Sequence, residues 1–290
     1  MRVLIVGCGC VGLPLGVELV RQGHEIFGLR RSGAAEMQAV GINPLMADIT
    51  QPETLEDLRR DFDWVVNCAA SAGGTAEDYR RLYLEGNRNL VAWLAERPPK
   101  KYIYTSSTSV YGQTDGSVVT ETSPAEPAAE TAKILVETEE LLLAAGADLK
   151  VPTVILRLAG IYGPGRGHWV RQFLRGEARI DGDGSRWLNM IHRDDAMGAL
   201  IAALERGAPG EIYNAVDNEP VTQLKFFEWL AAELKRPRPP EVPVDETASR
   251  KRGITNKRVS NIKMRTELKY QFRFPDFRAG YAAEIARLMA

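Results

Sequence analysis

The sequence predicts a doubly wound α/β fold: a parallel sheet covered by helices on both faces, followed by a smaller C-terminal region. Two observations carry the prediction. Apolar runs of strand length alternate with stretches of helical periodicity, and the first run passes straight into a turn containing three glycines and then a helix. Parallel strands need long crossover connections, which helices supply while burying both faces of the sheet.

Taken in order, the candidate strands are RVLIV (2–6), HEIFGL (24–29), WVVNC (64–68), KYIYT (101–105) and TVILRL (153–158), each short and apolar. Between them, Val11, Leu15 and Leu19 recur every four residues. Tyr79, Leu82, Tyr83, Gly86, Leu90 and Trp93 form a 3.6-residue stripe, as do Ile134, Leu135, Thr138, Leu141 and Leu142. Later the pattern loosens at GPGRG (163–167) and DGDGS (181–185), where glycine breaks regular elements. One further helix is expected around Phe227, Leu230, Ala231 and Leu234, and RPRPPEVP (236–243) reads as an extended surface connector. The expected division is one domain of residues 1–165 and 188–217 and a smaller one of 166–187 and 218–290.

A net charge of −1 gives no overall field to attract nucleic acid, although Arg250, Lys251, Arg252, Lys257 and Arg258 form a local basic cluster, read as a solvated face. No apolar run approaches the roughly 18 residues of a membrane span. Only Arg2 precedes the first apolar run, unlike a secretory leader. Three cysteines, two of them in one loop, make no disulfide framework, and three histidines lack the spacing of a zinc site. The composition therefore predicts a cytoplasmic protein with no metal, membrane or nucleic-acid partner.

The loop GCGCVG (7–12) sits between a strand and an amphipathic helix, the geometry of a dinucleotide-binding turn. Gly7 permits the tight turn, Gly9 lets a pyrophosphate approach the backbone, and Gly12 lets the helix pack on the strand. Cys8 and Cys10 are read as small residues of that loop, and Cys10 and Val11 belong with the glycines to the stretch expected to bind the cofactor. A phosphate over the helix N-terminus meets free N–H groups and the positive end of the dipole. At the end of the second strand, an acid bonds the ribose of NAD, whereas arginine accommodates the 2′-phosphate of NADP. Here the chain has Arg30, Arg31 and Ser32, which favours NADP and leaves NAD as the alternative.

Beyond this loop come Asp48 and Ile49 in ADIT, NCAA (67–70), TSSTSVYG (105–112), KILVE (133–137), RLAGIYGPG (157–165), NMIHRDD (189–195) and IYNAVDN (212–218). In that order these motifs resemble the extended short-chain dehydrogenase/reductase superfamily, in its NAD-dependent epimerase/dehydratase branch. The resemblance covers nearly the whole chain. It implies a Rossmann fold with a smaller C-terminal substrate-binding subdomain, and in related proteins the two helices flanking the active site form a homodimer. It also implies that Asp48 contacts adenine, that Ala69 and Ala70 pass beside the cofactor ribose, and that Ser107 bonds the reacting oxygen. Lys133 matches the lysine that holds the nicotinamide ribose.

The family's YxxxK places a catalytic tyrosine four residues before that lysine, and here Ala129 occupies the place. Where relatives carry an asparagine three residues before a glycine, this chain has Tyr83 before Gly86. Tyr83 has two readings: a member of the buried stripe, or the phenol that Ala129 cannot supply. Thr108 and Ser109 replace the acid pair of dehydratases, which argues against that chemistry. Leu188 stands where sugar-nucleotide epimerases hold a diphosphate with arginine, leaving Arg186 as the substitute. His192 is expected to pack beside a helix start that Asp194 or Asp195 caps. The function expected is an NAD(P)-dependent oxidoreductase or epimerase of a small polar, sugar-like or anionic substrate. The alternative is a dinucleotide-binding sensor or scaffold without turnover.

Overall fold

The computed structural model describes residues 1–71, 74–244 and 255–289, so Arg250, Lys251 and Arg252 of the basic cluster lie outside the described residues. Seven strands form one sheet: β1 (Arg2–Val6), β2 (Glu25–Arg30), β3 (Asn43–Met46), β4 (Trp64–Asn67), β5 (Lys101–Ser107), β6 (Thr153–Leu158) and β7 (Ile212–Ala215). Every pairing is parallel and the order is β7-β6-β5-β4-β1-β2-β3, the doubly wound Rossmann arrangement. All six residues of β6 are buried, as a strand covered on both faces requires. Two strands are not apolar runs in the sequence. β3 contains Pro44, tolerated because the strand lies at the sheet edge, and β7 carries a buried polar Asn214.

The main helices are α1 (Gly12–Arg21), α2 (Gly86–Ala95), α3 (Glu130–Asp148), α4 (Arg193–Arg206), α5 (Gln223–Glu233) and α6 (Phe277–Met289). The stripe from Tyr79 to Trp93 is not a uniform helix. A short helix, Ala76–Tyr79, runs through a π-helical turn, Arg80–Glu85, into α2. His192 itself caps α4: its Nδ1 accepts the Asp194 N–H at 3.2 Å. Asp194 and Asp195 do not cap the helix. Asp195 is buried and accepts from the Tyr270 hydroxyl and the Arg273 and Phe274 N–H groups, pinning the segment before α6.

Apolar burial is divided between two cores. One surrounds the sheet; the other gathers Val170, Phe173, Phe226, Phe227, Phe277 and Tyr281. The chain crosses between them, since Tyr162, Leu188 and Met190 pack in the second and Val259, Met264 and Leu268 in the first. The looser region after residue 160 contains a helix, His168–Leu174, that its glycines conceal, and within the proline connector Glu241–Val242 pairs with Ile180–Asp181.

A buried polar network locks β5, β6 and α3 together. Arg157 Nε donates to both Glu139 carboxylate oxygens at 3.1 Å and Nη2 to one at 2.6 Å. Its Nη1 donates to the Tyr111 hydroxyl, which in turn donates to Asn214, while Ser106 donates to Glu139. Tyr111, the tyrosine of VYG, is thereby a structural residue.

Candidate functional site

The strand order places the site. The chain adds β2 and β3 on one side of β1, then returns to build β4 onward on the other, and ligands bind in the crevice beyond the strand ends at such a reversal. At this crevice Gly7 has φ +84°, and a Cβ there would lie 2.6 Å from the Ala69 backbone, so the loops after β1 and β4 touch only because residue 7 is glycine. A Cβ on Gly12 would fall 2.3 Å from the Gly7 carbonyl oxygen. A Cβ on Gly9 would meet nothing within 4 Å: its backbone faces open space at the start of α1, as an approaching pyrophosphate needs. Gly7, Gly9, Cys10 and Val11 line the resulting cleft, whereas Gly12 works behind them as the packing contact.

At the end of β2 the two arginines separate. Arg30 Nη1 donates to the Cys8 carbonyl at 2.9 Å and pairs with Glu36 at 2.8 Å, so this side chain braces the glycine loop. Arg31 is 76% exposed and stands 3.8 Å from Asp48. Asp48 accepts from the Thr50 N–H and hydroxyl, a local turn that fixes its carboxylate. Arg31, Ser32, Asp48 and Ile49 line one end of the cleft, with Ala69 and Ala70 beside them. Burial pushes the Cys8 thiol up to about 12 and raises Cys68 as well, so neither is a reactive thiolate.

In the middle of the cleft lie Ser107 and Tyr83. Ser107 ends β5, and its Oγ accepts the Ser109 N–H at 3.2 Å. Tyr83 belongs to the π-helical turn, packs on Tyr79 with ring centres 4.8 Å apart, and its hydroxyl accepts the Ser71 N–H at 3.1 Å. Both readings of Tyr83 therefore have a counterpart: the ring is 5% exposed, and the residue also lines the cleft. Asn87 donates to the Tyr83 carbonyl and accepts from Asn67 and Tyr102, tying this turn to the end of β4 and the first part of β5.

Lys133 departs from the role that the family resemblance implies for it. Its side chain is 52% exposed, its Nζ stands 3.5 Å from Glu130, and it does not line the cleft. The reason is helix register. Ala129 is extended and precedes α3 as its N-cap, so Ala129 and Lys133 are not successive positions on one helical face. The α3 side chain that lines the cleft is Leu135.

The far end of the cleft, about 1440 Å³ in all, is built from the second core and the segments around it. Arg166 reaches back to the glycine loop, donating to Cys10 Sγ at 3.2 Å. Trp169, Trp187 and Tyr281 contribute walls. Lys257 overturns the solvated-face reading: it is 4% exposed, and its Nζ donates to the Tyr111 carbonyl at 2.8 Å and the Thr255 hydroxyl at 2.7 Å. Burial pulls its pKa down to about 8. No sequence signal announces this burial, because it arises from pairing with distant segments. Among the described residues, no His, Cys, Asp and Glu group suits a metal, and no helix is long and apolar enough to cross a membrane.

The sequence pattern of the NAD dependent epimerase/dehydratase family matches residues 3–215. Protein YeeZ of Escherichia coli K12 is 31% identical over 285 residues, spanning 95% of this chain and 97% of its own. A 2-alkyl-3-oxoalkanoate reductase of Stenotrophomonas maltophilia is 28% identical, over 92% of this chain and 86% of its own. Among solved structures, a UDP-glucose 4-epimerase from Thermotoga maritima with UDP-glucose superimposes with a TM-score of 0.85 over 100% of both chains, at 21% identity, a likeness of fold.

Proposed function

Because this chain belongs to the NAD dependent epimerase/dehydratase family, we propose that it is an oxidoreductase using a nicotinamide dinucleotide, NADP in preference to NAD, on a small polar substrate. The observation that carries this reading is the single cleft running from the glycine loop, past Ser107, to the second core. The open backbone at Gly9 and the close packing at Gly7 and Gly12 fit a pyrophosphate over α1. When bound, the dinucleotide supplies hydride transfer. The chain supplies the rest. Asp48 and Ile49 border the adenosine, Ala69 and Ala70 flank the ribose, Ser107 bonds the reacting oxygen, and Tyr83 donates its proton. On α3, the four-residue spacing of YxxxK that ends at the cleft falls on Thr131 and Leu135, so neither the tyrosine nor the lysine is supplied there.

Arg31 is the 2′-phosphate ligand in this reading, since Arg30 is committed to Cys8 and Glu36. Arg31→Ala should weaken NADPH roughly tenfold and leave NADH unchanged, as expected for one exposed charge-assisted contact. Equal losses for both cofactors, or none, in a fluorescence titration would refute the NADP assignment. The absence of tyrosine from α3 also favours a second reading, a dinucleotide-binding sensor. A panel of oxo acids, lactones and sugars separates them through substrate-dependent loss of NADPH absorbance. Tight NADPH binding with no turnover across the panel supports the sensor.

A further inference from the structure

We propose that Lys257 is the cation that recognises a carboxylate on the substrate, making the ligand of this cleft a small oxo- or hydroxy-carboxylate. The proposal rests on the reading of the cleft as the substrate site. Its first support is how firmly the lysine is placed. Asn189 holds the backbone on both sides of the next residue, Arg258, donating to the Lys257 carbonyl at 2.9 Å and accepting the Val259 N–H at 2.7 Å. The following residues, Arg258–Val259, pair in parallel with Val118–Val119. With its backbone fixed and its Nζ tied to Tyr111 and Thr255, the lysine is held in the wall of the cleft.

The second support is its incomplete neutralisation. An ammonium carries three N–H donors, and Lys257 directs two of them at neutral acceptors, the Tyr111 carbonyl and the Thr255 hydroxyl. Among the described residues no carboxylate pairs with it. A buried cation without a counter-charge is costly, and an anion arriving through the cleft removes that cost. The third support is the surrounding charge. From residues 158–190 and 255–281 the cleft takes Arg166, Arg186 and Lys257 and no aspartate or glutamate, while its acids, Asp48 and Asp78, come from the other side. Arg186 lies 3.6 Å from Asp181 and is in part engaged. One compact ammonium suits a monoanionic carboxylate better than a diphosphate, which needs several donors at once.

The titratable and charged side chains on the segments packed around Lys257 are Tyr111, Asp115, Glu121, Arg186 and Arg258. The Tyr111 hydroxyl faces Arg157 and Asn214, Asp115 bonds the Ser117 N–H, and Glu121 bonds the Asn214 N–H. Arg258 donates to the Gly116 carbonyl and lies over Trp187. None of these supplies Lys257 with a negative partner. The ammonium form is required for binding, so carboxylate affinity should be constant at low pH and fall about tenfold per unit above Lys257's pKa of about 8.

The test uses the full chain with NADPH bound, titrated calorimetrically with pyruvate, its neutral analogue pyruvamide, and inorganic phosphate across that pH range. NADPH affinity is read by fluorescence in the same samples. The expected result is pyruvate binding roughly ten- to hundredfold tighter than pyruvamide, a preference lost in Lys257→Met and kept in Lys257→Arg. Equal affinity for pyruvate and pyruvamide, no pyruvate binding at millimolar concentration, or a preference that survives Lys257→Met overturns the proposal. Phosphate binding more tightly than pyruvate through Lys257 overturns the carboxylate assignment. Failure of the wild-type chain to bind NADPH refutes the cofactor reading instead. The wild-type pH profile and the pyruvamide comparison need no variant, so they decide the matter even if Lys257→Met does not fold.

Discussion

Replacing Glu139 by methionine should be among the most damaging single changes in this protein. The Arg157 guanidinium is 4% exposed and spends three contacts on the Glu139 carboxylate, with only the Tyr111 hydroxyl and ring besides among the described residues. Without Glu139 the cation stays buried with one neutral acceptor, and breaking such a pair costs about 3–5 kcal/mol. Arg157→Met leaves the Glu139 carboxylate with Ser106 alone among the described residues and belongs in the same range. The double variant removes both charges while filling similar volume, so it should lose less than the sum of the singles by about 2 kcal/mol or more. Urea unfolding, extrapolated linearly, measures all four corners of the cycle; by melting, each single should fall by about 10 °C. Single losses below about 1 kcal/mol, or a double variant equal to the sum within about 0.5 kcal/mol, would refute the claim that this pair is isolated from water and interdependent.

Other outcomes follow from the same geometry. Gly7→Ala should abolish NADPH and NADH binding, because the left-handed backbone costs about 1 kcal/mol and the new Cβ strikes Ala69, parting the loops that form the crevice. His192, buried beside Phe274, has its pKa lowered to about 4 by burial, below its unfolded value of about 6.5. Its contribution is therefore complete above pH about 6.5 and lost as pH falls toward about 4; His192→Asn keeps a capping oxygen, cannot charge, and should remove roughly 2–3 kcal/mol of that acid sensitivity in pH-dependent urea melts. Asp195→Ala should cost about 2–4 kcal/mol by stranding two backbone N–H groups and the Tyr270 hydroxyl, measured by urea unfolding. Iodoacetamide mapped by mass spectrometry should label Cys10 before Cys8 or Cys68, whose thiols burial raises, and saturating NADPH should protect it, since Cys10 lines the cleft.

What the sequence disclosed depends on the distance over which each feature is determined. The glycine loop is legible because its demands are local: a turn at Gly7 and a strand and helix on either side. Ser107 comes through the family resemblance of TSSTSVYG, and the structure places it at the end of β5, two residues beyond the apolar run. Lys133 misleads because spacing within AETAK says nothing of where the helix begins. Once Ala129 is the cap, the cleft-facing position moves to Leu135. Arg30 and Arg31 look equivalent in the chain, and Glu36 is what distinguishes them. Lys257 is the extreme case, since its burial depends on Asn189, 68 positions away, and on Tyr111, 146 away.

The π-helical turn at Arg80–Glu85 makes one wall of the cleft depend on residue count as much as on residue kind. Each helical residue rotates the chain by about 100°, and a π turn holds one residue more than an α-helical turn would. Removing one residue from this stretch would let it relax to regular helix with the flanking segments facing as before, because the wider turn already absorbs the extra residue, but the side chains inside the turn would be re-aimed. Tyr83 would leave its place against Tyr79, and the Ser71 N–H would lose the phenol. A deletion harmless to composition and apolar pattern would thus dismantle the binding surface.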